Sequence, residues 1–204
     1  MKIDPSETSV KDNYKLLIGA VVPRPIALVS TISKNGIPNL APFSFFTVIT
    51  AKPPTICFAP ALKGTAAEKK DTLANIEETG EFVVNVLCED IAEQMNETAT
   101  EIPSEEDEFE HAGFTPEPSI KIKVPRVKES PINMECTLHK ILYIGDGSPG
   151  SGALVIGEIV QYHIADELYF DGKIDTGLLK PIGRLAGMEY STLGKRFIIE
   201  RKLK

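Results

Sequence analysis

The sequence has no excess of positive charge and no long apolar run. Its 204 residues include 22 lysines and arginines against 29 aspartates and glutamates, a formal net charge of −7 at pH 7. Such a chain has no positive field to gather polyanions, so nucleic acid is not expected as a partner. No stretch approaches the roughly 18 apolar residues of a membrane-spanning helix, so no membrane partner is expected. The first ten residues hold acids and a proline where a signal peptide has an apolar core, which favours a cytoplasmic location.

Cysteine is scarce. Cys57, Cys88 and Cys136 are widely separated, and each lies among apolar or β-favouring residues. This distribution predicts buried reduced thiols rather than disulfides or a CxxC redox pair. Hydrophobic residues make up 42% of the chain and charged residues 25%, as in ordinary globular proteins, and no linker-like stretch divides it. We therefore expect one domain over residues 1–204.

Familiar catalytic motifs are also missing: the sequence has no Walker A, GxSxG or HExxH pattern. The three histidines are too dispersed to suggest a local metal-binding motif, so no metal site is predicted. Gly145, Gly147 and Gly150 match the spacing of a dinucleotide fingerprint. However, Pro149 lies within this stretch and a β-rich run follows it where such a site requires a helix, so we expect a hairpin loop.

A β-hairpin is the clearest local structure. Residues 25–33 favour a strand, and Asn35 and Gly36 follow as a strong signal for a tight turn. The second arm is expected to begin at residue 37 and to continue to residue 50. Pro38 and Pro42 cannot donate ladder hydrogen bonds, so the start of this arm is predicted to be an edge, a bulge or a loop.

The remaining pattern predicts a mainly β protein. Helices are expected from Asp71 or Thr72, one of which would be the N-cap, to Gly80, and over residues 89–99. Further strands are predicted at residues 55–59, 81–87, 134–145, 153–165 and 197–200. Strands do not alternate with long helices, which favours a closed or partly closed antiparallel barrel.

Small hydroxyl side chains and a cation occur together in a few segments, although a packed core needs neither of them. Lys70 directly precedes a predicted helix N-terminus, where free N–H groups favour an anion such as phosphate. The hydroxyls that could complete the shell are those of Ser30, Thr31, Ser44 and Thr72. The alternative is that Asp71 or Thr72 only caps the helix and that the serines lie on a solvated strand face.

Residues 39–46 offer a rigid, proline-containing wall with aromatic side chains nearby, which suits a planar heteroaromatic ring. Alternatively, Phe43, Phe45 and Phe46 belong partly or wholly to the core. Residues 101–110 carry six acids, which indicate either a solvated connection or an interaction surface.

Several of these segments, in this order and spacing, resemble the flavin reductase-like family of FMN-binding split β-barrels. The resemblance covers residues 14–194. It rests on residues 24–27 with Ser30 and Thr31, residues 39–46, residues 70–72 with Asn75 and Ile76, residues 82–85, and residues 184–187 leading to Tyr190. It implies a mainly β fold with a few helices, a six-stranded antiparallel Greek-key split barrel. It also implies a homodimer with FMN near the subunit interface.

The resemblance further implies a cofactor site, matched residue by residue. It places the phosphate and ribityl chain of FMN among Ser30, Thr31, Ser44, Lys70 and Thr72. It places the isoalloxazine ring beside Asn39, Ala41, Pro42 and Phe43. It adds as further contacts Arg24, Asp71, Arg184, Tyr190 and His163, the last of which it places near the flavin or a nicotinamide.

The implied activity is that of a flavin reductase: NADH or NADPH gives a hydride to FMN, which passes electrons to free flavin or another acceptor. Flavin supplies this chemistry, so no catalytic acid–base pair is expected. The alternative is a non-enzymatic, flavoredoxin-like FMN carrier that docks to a redox partner through residues 101–110. A third interpretation is a barrel without cofactor that serves as an interaction module.

Overall fold

The structure is a computed structural model that describes residues 1–62, 69–100, 102–103, 106–200 and 202. Its helices are α1 (Val10–Ala20), α2 (Asp71–Thr79), α3 (Ala92–Glu97), α4 (Glu108–Ala112) and α5 (Thr176–Leu179). Short 3₁₀ turns lie at Pro5–Glu7, Glu89–Ile91 and Asp166–Leu168. Among the described residues, no helix has the length and apolar character needed to span a membrane.

Seven strands form the main sheet, and every neighbouring pair in it is antiparallel. In chain order, the strands of the described residues are β1 (Arg24–Pro25), β2 (Ala27–Ile32), β3 (Pro38–Phe43), β4 (Phe46–Ala51), β5 (Pro54–Phe58), β6 (Glu81–Val86), β7 (Pro116–Glu117), β8 (Arg126–Val127), β9 (Ile132–Ile144), β10 (Gly152–Ile164), β11 (Tyr169–Phe170), β12 (Lys173–Ile174), β13 (Gly183–Arg184) and β14 (Tyr190–Ser191). The order in the main sheet is β3-β2-β6-β9-β10-β5-β4. The fold is therefore mainly β, as predicted, with seven strands rather than six.

The extra strand comes from the second arm of the hairpin. Residues 37–50 were expected to form one arm, but the chain bends at Ser44 and Phe45 and sends β4 to the opposite edge of the sheet. Three residue steps from Phe43 to Phe46 span at most about 11 Å, so the two edges must lie close together there. The sheet consequently curls into a barrel with a seam between β3 and β4.

The barrel interior is filled by apolar side chains from these strands and from α2. The ring of Phe58 lies 5.0 Å from that of Phe43 and 5.6 Å from that of Phe82, measured between centroids. Gly157 lies directly beneath the Phe82 ring, which occupies the space of a side chain at that position. Phe43 therefore belongs to the core, whereas Phe45 is partly exposed.

Several local predictions are confirmed. The hairpin pairs β2 with β3 and places β3 at a sheet edge, as its two prolines indicated. Gly80 ends α2 in the left-handed conformation, and a loop joins β9 to β10. All three cysteines are buried and unpaired. The predicted strand at residues 197–200 is wrong, because this segment pairs with no strand of the described residues and its apolar side chains are exposed.

Candidate functional site

A groove runs along the free edge of β3, beside the barrel seam. Three adjoining cavities form it, with volumes of about 120, 250 and 740 Å³. The narrow and middle cavities share Pro42 and Ala99. The middle and wide cavities share Asn96, Arg184 and Tyr190. The groove is thus large enough for an organic cofactor, whose sites typically measure about 300–1,000 Å³.

The narrow end of the groove lies at the N-terminus of α2. Lys70 is the N-cap, rather than Asp71 or Thr72, and no side chain of the described residues caps this turn. The Lys70 amine lies 5.3 Å from the centre of the Phe43 ring, a cation–π contact that holds it at the groove. A helix N-terminus and an ammonium group therefore meet where an anion would be stabilised.

A buried hydrogen-bond network ties α2 to the barrel strands. The amide oxygen of Asn39 accepts from the Thr72 hydroxyl at 2.8 Å and from the Thr31 hydroxyl at 3.1 Å. The Asn75 amide donates in turn to the Thr31 oxygen at 3.1 Å. Thr31 and Thr72 are almost fully buried. These hydroxyls fix the helix N-terminus against β2 and β3, so they hold the narrow end of the groove in place.

Glu108 is a residue of the narrow end that the sequence did not single out. Its carboxylate accepts hydrogen bonds from the side-chain amide of Asn39 and from the backbone amide of Leu40. The Leu40 amide points away from β2, so Glu108 satisfies a donor on the free edge of β3. The only signal in the sequence was the acidic segment 101–110, of which residues 101, 104 and 105 lie outside the described residues.

The middle of the groove is built around Arg24. Its guanidinium donates to the carbonyls of Ile18 and Val21 at 2.8 Å each and of Leu185 at 2.9 Å. It also donates to the Ser44 hydroxyl at 3.3 Å. Arg24 is only 5% exposed, and these bonds use four of its five N–H donors. The Arg24 side chain therefore joins the C-terminal end of α1 to the bend at Ser44 and to the residue that follows β13.

The wide end of the groove carries a second arginine. β1 pairs with β13 so that Arg24 lies opposite Arg184. The Arg184 guanidinium stacks 4.4 Å from the centre of the Tyr190 ring and donates to the carbonyl of Gly187 at 2.6 Å. It also donates to the Tyr190 hydroxyl. This pair gives the groove a flat, cationic surface near its opening.

Two predicted site residues lie away from the groove. Ser30 is buried on the opposite face of β2, where its hydroxyl donates to the carbonyl of Pro125 at 2.7 Å. His163 lies on β10 in a different cavity of about 630 Å³, and its Nε2 is 2.5 Å from the carboxylate of Glu135. The structure of a single chain does not bring either residue to the others.

Glu135 is buried, and its environment favours the charged form. Burial by itself would raise the pKa of this carboxyl. The backbone amides of Ile120 and Lys121, each donating at 2.7 Å, and the ring of His163 outweigh that effect and lower the pKa below its usual value. Glu135 thus anchors the segment containing residues 120 and 121 to the barrel.

The structure divides the predicted site residues into three groups. Those that line the groove are Asn39, Ala41, Pro42, Lys70, Asp71, Thr72, Arg24, Ser44, Arg184 and Tyr190. Thr31 and Phe43 support it from the interior, whereas Ser30 and His163 lie elsewhere. Within the described part of the chain, no three His, Cys, Asp or Glu side chains are arranged to hold a metal ion.

This donor set fits a planar ligand with an anionic tail. Lys70 and the N-terminus of α2 offer positive charge at the narrow end, whereas Pro42 and the Tyr190 ring offer flat surfaces along the groove. The carboxylate of Glu108 limits the anion-binding region on its far side.

Comparison with known proteins identifies one matching family and several similar solved structures. The flavin reductase like domain family matches residues 19–177. Nitrilotriacetate monooxygenase component B from Bacillus cereus is 43% identical, with a TM-score of 0.93 over 98% of each chain. The 2-nitrobenzoate 2-nitroreductase of Pseudomonas fluorescens is 34% identical, with a TM-score of 0.88 over 99% of this chain and 96% of that one.

A protein of Shewanella frigidimarina that contains a split barrel domain has the same fold. Its TM-score is 0.83 at 24% identity, over 99% of this chain and 100% of that one. Together with the family match over most of the sequence, this likeness settles the architecture. The chain belongs to the flavin reductase-like family and has its split-barrel fold.

Proposed function

We propose that the protein binds FMN in the groove and acts as an NAD(P)H-dependent flavin reductase. The observation that carries the proposal is the meeting of Lys70 and the α2 N-terminus with the Asn39–Pro42 edge of β3. One end of this groove suits a phosphate, and the rest suits a flat ring system. Membership of the flavin reductase-like family supports the same conclusion.

The residues have distinct roles in this proposal. Lys70 and the first turn of α2 hold the phosphate, with Thr31, Asn39 and Thr72 fixing their position. Ala41 and Pro42 form one wall for the ring. When bound, FMN supplies the two-electron redox chemistry. The chain itself only has to bind the flavin, orient its ring and leave one face of the ring accessible.

The wide cavity at Arg184 and Tyr190 is the proposed entry for the electron donor. It opens to solvent and adjoins the middle of the groove, so a nicotinamide could reach a ring held beside Pro42. NADH or NADPH is the proposed donor, and free flavin or another small molecule is the proposed acceptor. Two similar structures, named as a monooxygenase component and a nitroreductase, are compatible with such electron transfer.

A homodimer is part of the proposal. α1 and β4 expose apolar side chains that the described part of the chain does not cover, including those of Leu16, Leu17 and Val48. A second copy that buries them would stabilise the assembly and lie close to the groove, which Tyr14 and Ile18 of α1 also line. Light scattering of the purified protein tests this, and a monomeric mass at micromolar concentration would contradict it.

The absorption spectrum of the protein tests the function directly. Protein reconstituted with FMN should be yellow after removal of free flavin, and anaerobic NADH or NADPH should bleach it. Absence of saturable FMN binding would refute the cofactor assignment. A yellow protein that neither nucleotide bleaches would refute only the reductase assignment.

A non-enzymatic FMN carrier is the second candidate. Three exposed carboxylates, those of Glu89, Glu93 and Glu97, line the wide cavity at the opening of the groove. An acidic rim around a redox site suits docking to a basic protein partner. Steady-state consumption of NADH with free flavin as acceptor distinguishes the two, because a carrier would show no turnover without its partner.

A further inference from the structure

Another cavity lies beyond the narrow end of the groove. Its volume is about 220 Å³, and Ser33, Asn35 and Ile37 of the β2–β3 hairpin line it together with Asn75 of α2. The residues that line both this cavity and the narrow end of the groove are Asn39, Asp71, Ile102 and Glu108. These residues therefore form the partition between the two spaces.

Hydrogen bonds hold the Asn39 and Glu108 part of this partition in place. The Glu108 carboxylate accepts from the Asn39 amide and from the Leu40 backbone, while the other end of the Asn39 amide is held by Thr31 and Thr72. On the helix side, the Asp107 carboxylate caps α4, and Phe109 is fully buried. The Asn39 half and the Glu108 half of the partition are thus each anchored in structure that packs against the barrel.

We propose that Asn39 and Glu108 end the cofactor site at the FMN phosphate and thereby exclude flavin adenine dinucleotide. This inference rests on the proposed binding of FMN with its phosphate at Lys70. A dinucleotide continues from that phosphate through a second phosphate to an adenosine. Its continuation into the next cavity would break the Asn39–Glu108–Leu40 hydrogen bonds and bring a second negative charge to the Glu108 carboxylate.

Removal of the Glu108 carboxylate should open the partition and also expose groups that could bind a second phosphate. In Glu108→Ala, the amides of Asn39 and Leu40 lose their acceptor and face the joined cavities, where they could donate to a second phosphate. In Glu108→Gln, the size of the side chain is kept and only the charge is lost. The matched control is Glu110→Gln, which removes the same charge from an exposed position on α4.

The experiment measures the dissociation constants of FMN and FAD for all four proteins by quenching of flavin fluorescence. Wild-type protein should prefer FMN. Glu108→Ala should raise the affinity for FAD relative to the affinity for FMN by about tenfold or more. This corresponds to roughly 1.4 kcal/mol of relieved repulsion and regained hydrogen bonding. Glu108→Gln should shift the ratio in the same direction by less, and Glu110→Gln should leave it unchanged.

Two results would overturn the inference while leaving the proposed function intact. One is wild-type protein that binds FAD as tightly as FMN, and the other is a ratio that neither Glu108 substitution changes. If Glu108→Ala fails to fold, the isosteric Glu108→Gln decides the outcome. Wild-type protein that binds neither flavin would refute the proposed function, and this inference with it.

Discussion

Replacement of Lys70 by alanine should weaken the binding of FMN much more than that of riboflavin. The Lys70 amine is held at the narrow end of the groove, 5.3 Å from the centre of the Phe43 ring. A charge-assisted hydrogen bond contributes about 1.5–3 kcal/mol, so its loss should raise the Kd of FMN roughly 10- to 150-fold. Riboflavin has no phosphate, and its Kd should change by less than about threefold on the same scale.

Lys69 provides a matched control for this substitution. It is the preceding residue and carries the same charge, but its amine pairs with Glu77 at 2.7 Å and lies 5.4 Å from the centre of the Tyr143 ring. Lys69→Ala should therefore leave the affinity for FMN nearly unchanged. Lys70→Arg, which keeps the positive charge, should restore much of the lost affinity.

Fluorescence titration with FMN and riboflavin gives all of these constants under one set of conditions. The loss of FMN affinity caused by Lys70→Ala should become smaller as the salt concentration rises, because salt screens the attraction between the lysine and the phosphate. An equal loss for FMN and riboflavin in Lys70→Ala would show that Lys70 does not contact the phosphate. The phosphate would then have to be assigned to a different part of the groove.

Three further perturbations test other parts of the structure. Gly157→Ala should destabilise the barrel by about 1–3 kcal/mol, because the new methyl group would overlap the Phe82 ring, and an unchanged thermal melting temperature would contradict that packing. NADH should be a better donor than NADPH, because Glu89, Glu93 and Glu97 at the wide cavity repel a 2′-phosphate. Glu93→Lys should bring the kcat/KM values for NADH and NADPH closer together. A preference of the wild-type protein for NADPH would refute the assignment of that cavity to the donor. Because the fold lowers the pKa of Glu135 below its ordinary 4.5, the stabilisation it provides is present above that pH and is lost as pH falls through the lowered value. Urea unfolding at a series of pH values should show a smaller acid-induced loss in Glu135→Gln than in wild type, and identical pH profiles would exclude this contribution.

The elements that the sequence predicted best are those defined by local chemistry. The Asn35–Gly36 turn between β2 and β3 and the Gly80 end of α2 depend on turn and cap residues that act within a few positions. By contrast, the division of residues 37–50 into β3 and β4 depends on which strands each segment pairs with. That choice is made by contacts far apart in the chain, which a β-favouring run does not reveal.

The candidate site shows the same limit. Lys70 and the Asn39–Pro42 edge come together as the sequence suggested, because α2 packs on the β2–β3 hairpin. Ser30 and Thr31 are neighbours on one strand, so their side chains must point to opposite faces, and only Thr31 lies on the α2 side. Glu108 reaches Leu40 across 68 positions of sequence, a contact that no local pattern could have indicated.

Among the residues that the structure describes, β3 has no strand neighbour on the side of the barrel seam, and this bears on aggregation. An unpaired strand edge offers its amides to any extended chain and is a common starting point for aggregation. Here Pro42 contributes no amide, the carboxylate of Glu108 occupies that of Leu40, and α3 and α4 pack nearby. The space in which a ligand can lie is therefore also the space from which foreign strands are kept out.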